Sequence, residues 1–404
     1  MSLSLPNQKP PRVRPPDAAL PRALSIRTLQ IGMGWLPEQP GNGLDRMYHN
    51  LVQTLPAAGV NVRGLVTGSA DVPHTSDGVV EAFASDTASL VSRLAAVRRR
   101  TRATLAEQDI DLVAAHFALY AAPLLDLLND RPLVIHFHGP WALESRAEGD
   151  SGLQAQLKKT LERFVYRRAH RCIVLSEAFR DILIQEYDVP PNHIHIVPGG
   201  VDVDRFDTGA SRRAARQRLG WPVDRPVILS VRRLAHRMGL EALIDAVAKV
   251  RTQHPDLLLL IAGTGPLHDT LARQIDEAGL SEHVRLLGFV PDDDLPFAYR
   301  AADVSIVPTA TLEGFGLITI ESLAAGTPVL VTPVGGLPEA VAPLSPALVL
   351  DDTGPEALAH GMTEALTHPE HLPSAADCQA YARQHFSWST IARQTRAVYE
   401  AARS

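Results

Sequence analysis

The sequence predicts an α/β protein built from two doubly wound domains that face each other across a central cleft. A chain of 404 residues is too long for one compact core and suits two domains of ordinary size. From Arg27 onward, short β-branched or leucine-rich runs alternate with longer amphipathic segments. The alternation starts afresh at Val227, after a stretch of glycine, proline and short polar residues across 198–211 that reads as a linker.

The elements follow in order. Residues 29–33 read as the first strand, 37–43 as a glycine-containing loop and 44–55 as the first helix. Further strands are expected at 112–115, 133–136, 172–175 and 194–197. The second series runs through 227–231, 257–261, 284–287, 304–307 and 328–331. Residues 388–402 have helical periodicity and suit a cap on either half. The resulting division is a disordered tail at 1–25, an N-terminal domain at 26–205, a C-terminal domain at 206–385 and a last helix at 386–404.

Composition narrows the function. A net charge of −6, with no basic run long enough to follow a phosphate backbone, argues against nucleic acid as a partner. Basic charge is almost all arginine, and the lysines, Lys9, Lys158, Lys159 and Lys249, avoid every candidate phosphate loop. The two cysteines, Cys172 and Cys378, lie far apart and form no ligand cluster with histidine. The first 25 residues lack the apolar core of a signal peptide, and no segment approaches the ~20 apolar residues of a membrane helix. A cytoplasmic location is expected. The cationic helices around 91–102 and 157–171 are either solvated faces or, for a lipid acceptor, a peripheral membrane contact.

The chemistry concentrates in Thr311-Leu312-Glu313-Gly314-Phe315-Gly316-Leu317-Ile318-Thr319-Ile320-Glu321. This loop follows the strand expected at 304–307, so it lies at a carboxyl end, where ligands bind in open α/β sheets. Gly314 and Gly316 allow close backbone approach, and the helix that begins there aims N–H groups at an anion. Carboxylates would repel phosphate, so Glu313 and Glu321 are expected to accept hydrogen bonds from hydroxyls.

Other strand ends contribute candidates. Gly41-Asn42-Gly43 precedes the first helix and can present backbone N–H groups across the cleft. His136-Phe137-His138-Gly139-Pro140-Trp141 ends a strand, with His138 the expected sugar-facing residue, and His116 and Glu144 are of the same kind. The arginines of Val231-Arg232-Arg233-Leu234-Ala235-His236-Arg237-Met238-Gly239 suit a diphosphate; Arg233 ranks first, then Arg237, then Arg232. Gly263, in a strand-to-turn junction, approaches phosphate or ribose or simply punctuates the sheet. The segment at 287–291, with Val290, offers an apolar face for a nucleobase. Asp292-Asp293-Asp294 reads as the cap of a following helix rather than a metal cluster.

Together, Gly41-Asn42-Gly43, His138-Gly139, Ser176-Glu177-Ala178-Phe179, Pro198-Gly199-Gly200-Val201-Asp202, Arg233, Gly263-Thr264-Gly265 and Glu313 through Glu321 resemble the retaining glycosyltransferases of family four. The resemblance implies the GT-B fold: an acceptor-side N-terminal half, a nucleotide-sugar-binding C-terminal half and a last helix crossing back to the first domain. It implies His138, Arg233 and Glu313 as catalytic residues. For the donor it implies Gly43, Arg237, Gly263, Val290, Gly314, Phe315, Gly316, Leu317 and Glu321, with Glu321 at the ribose and Glu313 at the sugar. Met238 stands where the family usually has lysine, and Arg237 is the neighbouring candidate to replace that charge.

The expected reaction moves a sugar from a nucleotide-diphosphate donor, as co-substrate, to a sugar, lipid-linked or small-molecule acceptor hydroxyl. No metal and no cofactor are expected. Two alternatives stay open. A glycoside hydrolase also uses paired carboxylates but would release sugar from a nucleotide-free substrate. A non-catalytic nucleotide-sugar-binding protein would bind nucleotide and never turn over. A nicotinamide oxidoreductase is disfavoured because the first βα turn lacks G-x-G-x-x-G.

Overall fold

The computed structural model describes residues 25–36, 38, 43–128, 130–147, 149 and 151–404. The expected tail, apart from Ser25, and the Gly41-Asn42 pair lie outside the described residues.

Two separate parallel sheets form. The first has seven strands in the order β3-β2-β1-β4-β5-β6-β7. They are β1 (Ile26–Ile31), β2 (Val60–Thr67), β3 (Val80–Ala84), β4 (Leu112–Ala115), β5 (Leu133–Phe137), β6 (Arg171–Val174) and β7 (Ile194–Ile196). The second has five, in the order β10-β9-β8-β11-β12. These are β8 (Val227–Val231), β9 (Leu258–Ala262), β10 (Val284–Gly288), β11 (Val304–Val307) and β12 (Val329–Val331). Every pairing within both sheets is parallel. β4, β8, β9, β11 and β12 are almost wholly buried apolar runs, as strands covered by helices on both faces must be.

β2 and β3 were not anticipated. In β2 (VNVRGLVT) the first half is partly exposed and carries Asn61 and Arg63, which blurs its apolar signal. β3 is short and lies at the sheet edge, where a polar Glu81 is tolerated.

The strand order reverses at β1/β4 in the first sheet and at β8/β11 in the second. These are the switch points at whose carboxyl ends α/β proteins hold ligands. His116 follows β4, and Arg232 and the Glu313 loop follow β8 and β11.

The chain passes between domains twice, side by side. Val201 donates its N–H to Phe386 O at 2.8 Å and bridges in parallel to Ser387. A methyl group on Gly200 would lie 2.6 Å from the Trp388 ring, which explains the glycine in Pro198-Gly199-Gly200. The helix Trp388–Arg403 buries Trp388, Ile391, Ala392, Thr395, Val398, Tyr399 and Ala402, one stripe at helical spacing. That stripe packs on the N-terminal domain: Tyr399 bonds His136, and Arg396 donates to Ala58 O at 2.7 Å. One apolar cluster consequently runs from Met47 and Leu51 through Ile391 and Tyr399 to Phe315 and Val329.

Candidate active site

The 311–321 loop is held from three sides. Leu312 has φ 54°, uncommon for a residue with a side chain, and its carbonyl accepts from Arg237 Nη1 at 3.0 Å. Gly316 has φ 72° and stands at the N-cap of the helix Leu317–Ala324, with no side chain capping it. A methyl on Gly314 would lie 2.4 Å from the Phe179 ring of the other domain. The loop is therefore a bare backbone surface whose glycines are required by positive φ and by close packing.

Beneath it lies an ion pair. Arg232 Nη2 donates to Glu313 Oε2 at 2.8 Å and to Thr309 Oγ1 at 2.7 Å, with side chains only 7% and 14% exposed. The same nitrogen lies 2.7 Å from Met238 Sδ. Arg232, ranked behind Arg233 and Arg237 in the sequence, is thus the cation at Glu313. Arg237 is committed to the Leu312 carbonyl, and Arg233 is exposed. Two buried atoms, Arg232 Nε and Thr319 Oγ1, have no hydrogen-bond partner among the described residues.

Glu321 sits one turn into the helix, 7% exposed, and accepts from Tyr299 Oη at 3.1 Å. Burial pushes its carboxyl above the usual range, opposed by the Arg46 charge and the Tyr299 bond. Tyr299 and Arg46 went unnoticed in the sequence. Arg46, on the helix Gly43–Thr54, also reaches Asp292 across the cleft at 3.4 Å.

The remaining candidates are distributed as follows. Gly43 faces the Leu317 side chain, and a methyl on Gly199 would meet the same leucine at 2.4 Å, so Leu317 spans the domain boundary. The Phe315 side chain is buried against Phe386, 5.5 Å between ring centres, leaving only its backbone for a ligand. Gly263 has φ 143°, and a side chain there would strike Arg232 O, so sheet packing alone demands this glycine. Val290 is half-buried against the core beside the exposed Phe289.

The expected aspartate cap is corrected. Asp294 occupies the N-cap of Leu295–Ala301 with αR backbone and makes no side-chain cap bond. Its carboxylate pairs with Arg218 at 2.9 Å, while Asp292 faces Arg46 and Arg205. The αR conformation turns the side chain away from the helix N–H groups, toward arginine partners.

Across the cleft, His138 follows β5. His116 Nδ1 and His138 Nε2 are 3.0 Å apart, His116 Nε2 and Gln30 Oε1 3.1 Å, and His136 Nε2 and Tyr399 Oη 2.8 Å. The three imidazoles stack nearly parallel and bring one nitrogen each within 4.8 Å of the others. Burial lowers the His138 pKa to about 4 and holds His116 and His136 well below the ordinary value. All three rings are neutral at pH 7. The turn after His138 is anchored by Glu162, wholly buried, which accepts from the N–H groups of Trp141 (3.0 Å) and Ala142 (3.1 Å) and from Tyr166 and Tyr187 (2.9 Å each).

The domains also meet at Glu339, whose carboxylate accepts from the N–H groups of Glu177 (2.7 Å) and Ala178 (3.1 Å) at the start of the helix Glu177–Tyr187. An acidic side chain on a positive helix end is favourable. It brings Ser176-Glu177-Ala178-Phe179 against the C-terminal domain.

Comparison with known proteins fits this geometry. A model of the family "Glycosyltransferase Family 4" matches residues 41–205, and "Glycosyl transferases group 1" matches 211–385. The D-inositol 3-phosphate glycosyltransferase of Corynebacterium jeikeium (strain K411) is 31% identical over 410 residues, covering 93% of this chain and 96% of that one. The chain belongs to glycosyltransferase family four. A second relative, the D-inositol 3-phosphate glycosyltransferase of Corynebacterium kroppenstedtii, is 32% identical over 257 residues; that match covers 61% of this chain and spans only 56% of the relative's length. Anabaena HepE, solved in complex with UDP and glucose, superimposes with TM-score 0.75 at 22% identity, covering 93% of this chain and 100% of that one. The fold is GT-B, and this glycosyltransferase keeps both lobes of it. No helix among the described residues is long and apolar enough to cross a membrane.

Proposed function

We propose that this family four glycosyltransferase moves a hexose from a nucleotide-diphosphate sugar to an acceptor hydroxyl with retention at the anomeric carbon. The observation that carries the reading is the Arg232–Glu313 pair, its arginine buried and its glutamate partly so, under a bare glycine turn, at the N-terminus of Leu317–Ala324 and facing the other domain. A guanidinium and free N–H groups suit a diphosphate, and a carboxylate fixed between them suits sugar hydroxyls. That HepE binds UDP and glucose in the same fold supports such a donor.

In this reading Glu321 accepts the ribose hydroxyls, which its bond from Tyr299 leaves it oxygen to do. Gly314, Gly316 and Leu317 present backbone amides to the diphosphate, helped by Arg233 and Arg237. Arg232 stands in for the lysine absent at Met238, because its guanidinium touches that side chain. The bond from the anomeric carbon to phosphate breaks, the bond to the acceptor oxygen forms on the same face, and the acceptor proton passes to the departing phosphate oxygen. Charge on the leaving group is met by arginine and helix N–H groups, so the step needs no metal.

The acceptor is a sugar, a small molecule or a lipid-linked group. A membrane-surface acceptor is supported by the helix Gly152–Tyr166, which exposes Leu153 (73%), Leu157 (65%) and Phe164 (50%) beside Lys158, Lys159 and Arg163. A thermal-shift panel of nucleoside diphosphates, followed by NMR of the product anomer, tests the proposal. Stabilisation by a nucleoside diphosphate and a retained anomer are expected; an inverted anomer refutes retention. Sugar release from a nucleotide-free glycoside would replace the reading with hydrolysis.

A further inference from the structure

The hydrogen-bond chain behind His138 has a direction, and that direction starts from a group that cannot change roles. The backbone carbonyl of Asn61 only accepts, so Thr28 Oγ1, 3.1 Å away, spends its proton there. Thr28 Oγ1 must then accept from the Gln30 side chain 3.0 Å away, which places the amide nitrogen of Gln30 on that side; the nitrogen's other proton goes to Tyr399 Oη at 3.1 Å. Gln30 Oε1 faces His116 Nε2, which therefore carries a proton and donates. A neutral His116 is left with a bare Nδ1, so His138 Nε2, 3.0 Å away, donates in turn. A neutral His138 then has its lone pair on Nδ1. That atom is buried and has no partner among the described residues.

The opposite orientation of Gln30 would reverse every proton downstream. It would also place two acceptors against each other at Thr28, unless the bond to Asn61 were given up. Tyr399 Oη lies 3.1 Å from the Gln30 amide nitrogen, 3.4 Å from its oxygen and 2.8 Å from His136 Nε2; with its one proton on the shortest of these contacts, His136 carries its own on Nδ1.

We propose that Gln30 and His116 are positioning residues that set the tautomer of His138 and so make its buried Nδ1 the ring's one hydrogen-bond acceptor, open to an O–H group of the donor sugar once the cleft adjusts around the ligand. The placement of His138 at the sugar rests on the proposed function; the tautomer does not. Selectivity follows for a sugar that carries a hydroxyl at that point, since a substituent able only to accept would face a lone pair.

Long-range 1H–15N correlation of the imidazoles, in 15N-labelled protein at pH 7.5 with EDTA, reads the tautomers directly. The spectrum is assigned by losing one ring at a time in His116→Asn, His136→Asn and His138→Asn. His138 and His116 are expected protonated at Nε2, and His136 at Nδ1. A His138 protonated at Nδ1 in the unaltered protein overturns the proposal, whatever the variants do.

Gln30 supplies the acceptor that holds the His116 proton on Nε2. Gln30→Met, of similar volume, removes it and should give a mixture at His138. An unmixed His138 in Gln30→Met would also overturn the relay. With UDP-glucose as the donor probe, Gln30→Met should lower kcat in proportion to the His138 population that leaves the Nε2-protonated form, about twofold for an even mixture. Absence of turnover with any nucleotide sugar would count against the proposed function while leaving the tautomer result standing.

Discussion

Protonating the imidazole stack should destabilise the fold. His138 is neutral in the folded protein because burial lowers its pKa from 6.5 to about 4. In the unfolded chain it takes up a proton below about pH 6.5. The unfolded state therefore binds more protons as pH falls, and stability declines with it. The contribution of a neutral His138 is intact above pH 6.5, is lost progressively from there downward, and is gone below about pH 4. A displacement from 6.5 to about 4 corresponds to roughly 3 kcal/mol. His116 and His136 are depressed in the same direction, by burial first and then by neighbouring imidazoles, so the observed slope should exceed that of one group. The assay is urea unfolding of the protein and of His138→Asn from pH 8 to pH 4.5, followed by far-ultraviolet circular dichroism. The unaltered protein should start more stable and lose its advantage as the pH is lowered, with the steepest fall near pH 5, midway between the unfolded and folded pKa values. Parallel curves for the two proteins would refute the claim that the stack is held neutral by burial.

Four other perturbations test the site. Arg232→Ala should cost stability on the order of 2 kcal/mol, because the partly buried Glu313 is left without its cation, and should lower turnover more than Arg237→Ala; equal effects on turnover would remove the special role of Arg232. Glu321→Ala should weaken nucleotide-sugar binding by about tenfold or more without raising donor-independent activity, checked by calorimetry, and unchanged affinity would remove Glu321 from the ribose. Glu162→Ala strips four donors of their acceptor and should lower stability by about 3–5 kcal/mol, read as a fall in melting temperature; a shift within error would mean the turn after His138 is held by something else. Leu157→Glu should reduce flotation with vesicles containing phosphatidylglycerol and leave nucleotide binding unchanged, whereas equal flotation would leave this helix face without a membrane role.

Much of the fold was legible in the sequence because buried parallel strands are continuous apolar runs, and Val227–Val231 or Val304–Val307 can hardly be read otherwise. β2 and β3 escaped for the converse reason: partly exposed near the sheet edge, they mix polar and apolar residues without a clean period. At the site, glycines and glutamates announced themselves by spacing along one loop. Arg232, Tyr299 and Gln30 did not, because their partners lie 81, 22 and 86 positions away in the chain. Asp294 misled because a cap depends on backbone dihedral angles, which residue type only biases.

Arg232 and Met238 mark two places from which a side chain can reach the space under the glycine turn. A cation under the glycine turn must reach Glu313 and lie near the loop that follows β8. Both the chain before the turn and the chain after it satisfy those conditions, since Arg232 and Met238 flank one short excursion whose ends are in contact. A cation rooted at Arg232 has a different geometry from one rooted at position 238, however. A guanidinium at Arg232 is pinned by Thr309 and Glu313 on a single nitrogen, leaving Nε without a partner. A planar fork held at one end can present its other nitrogens in a fixed direction, which a flexible ammonium cannot do. Arg232→Lys should therefore fail to restore the activity lost in Arg232→Ala, even though the charge returns. Full rescue by lysine would show that charge alone is required at this position.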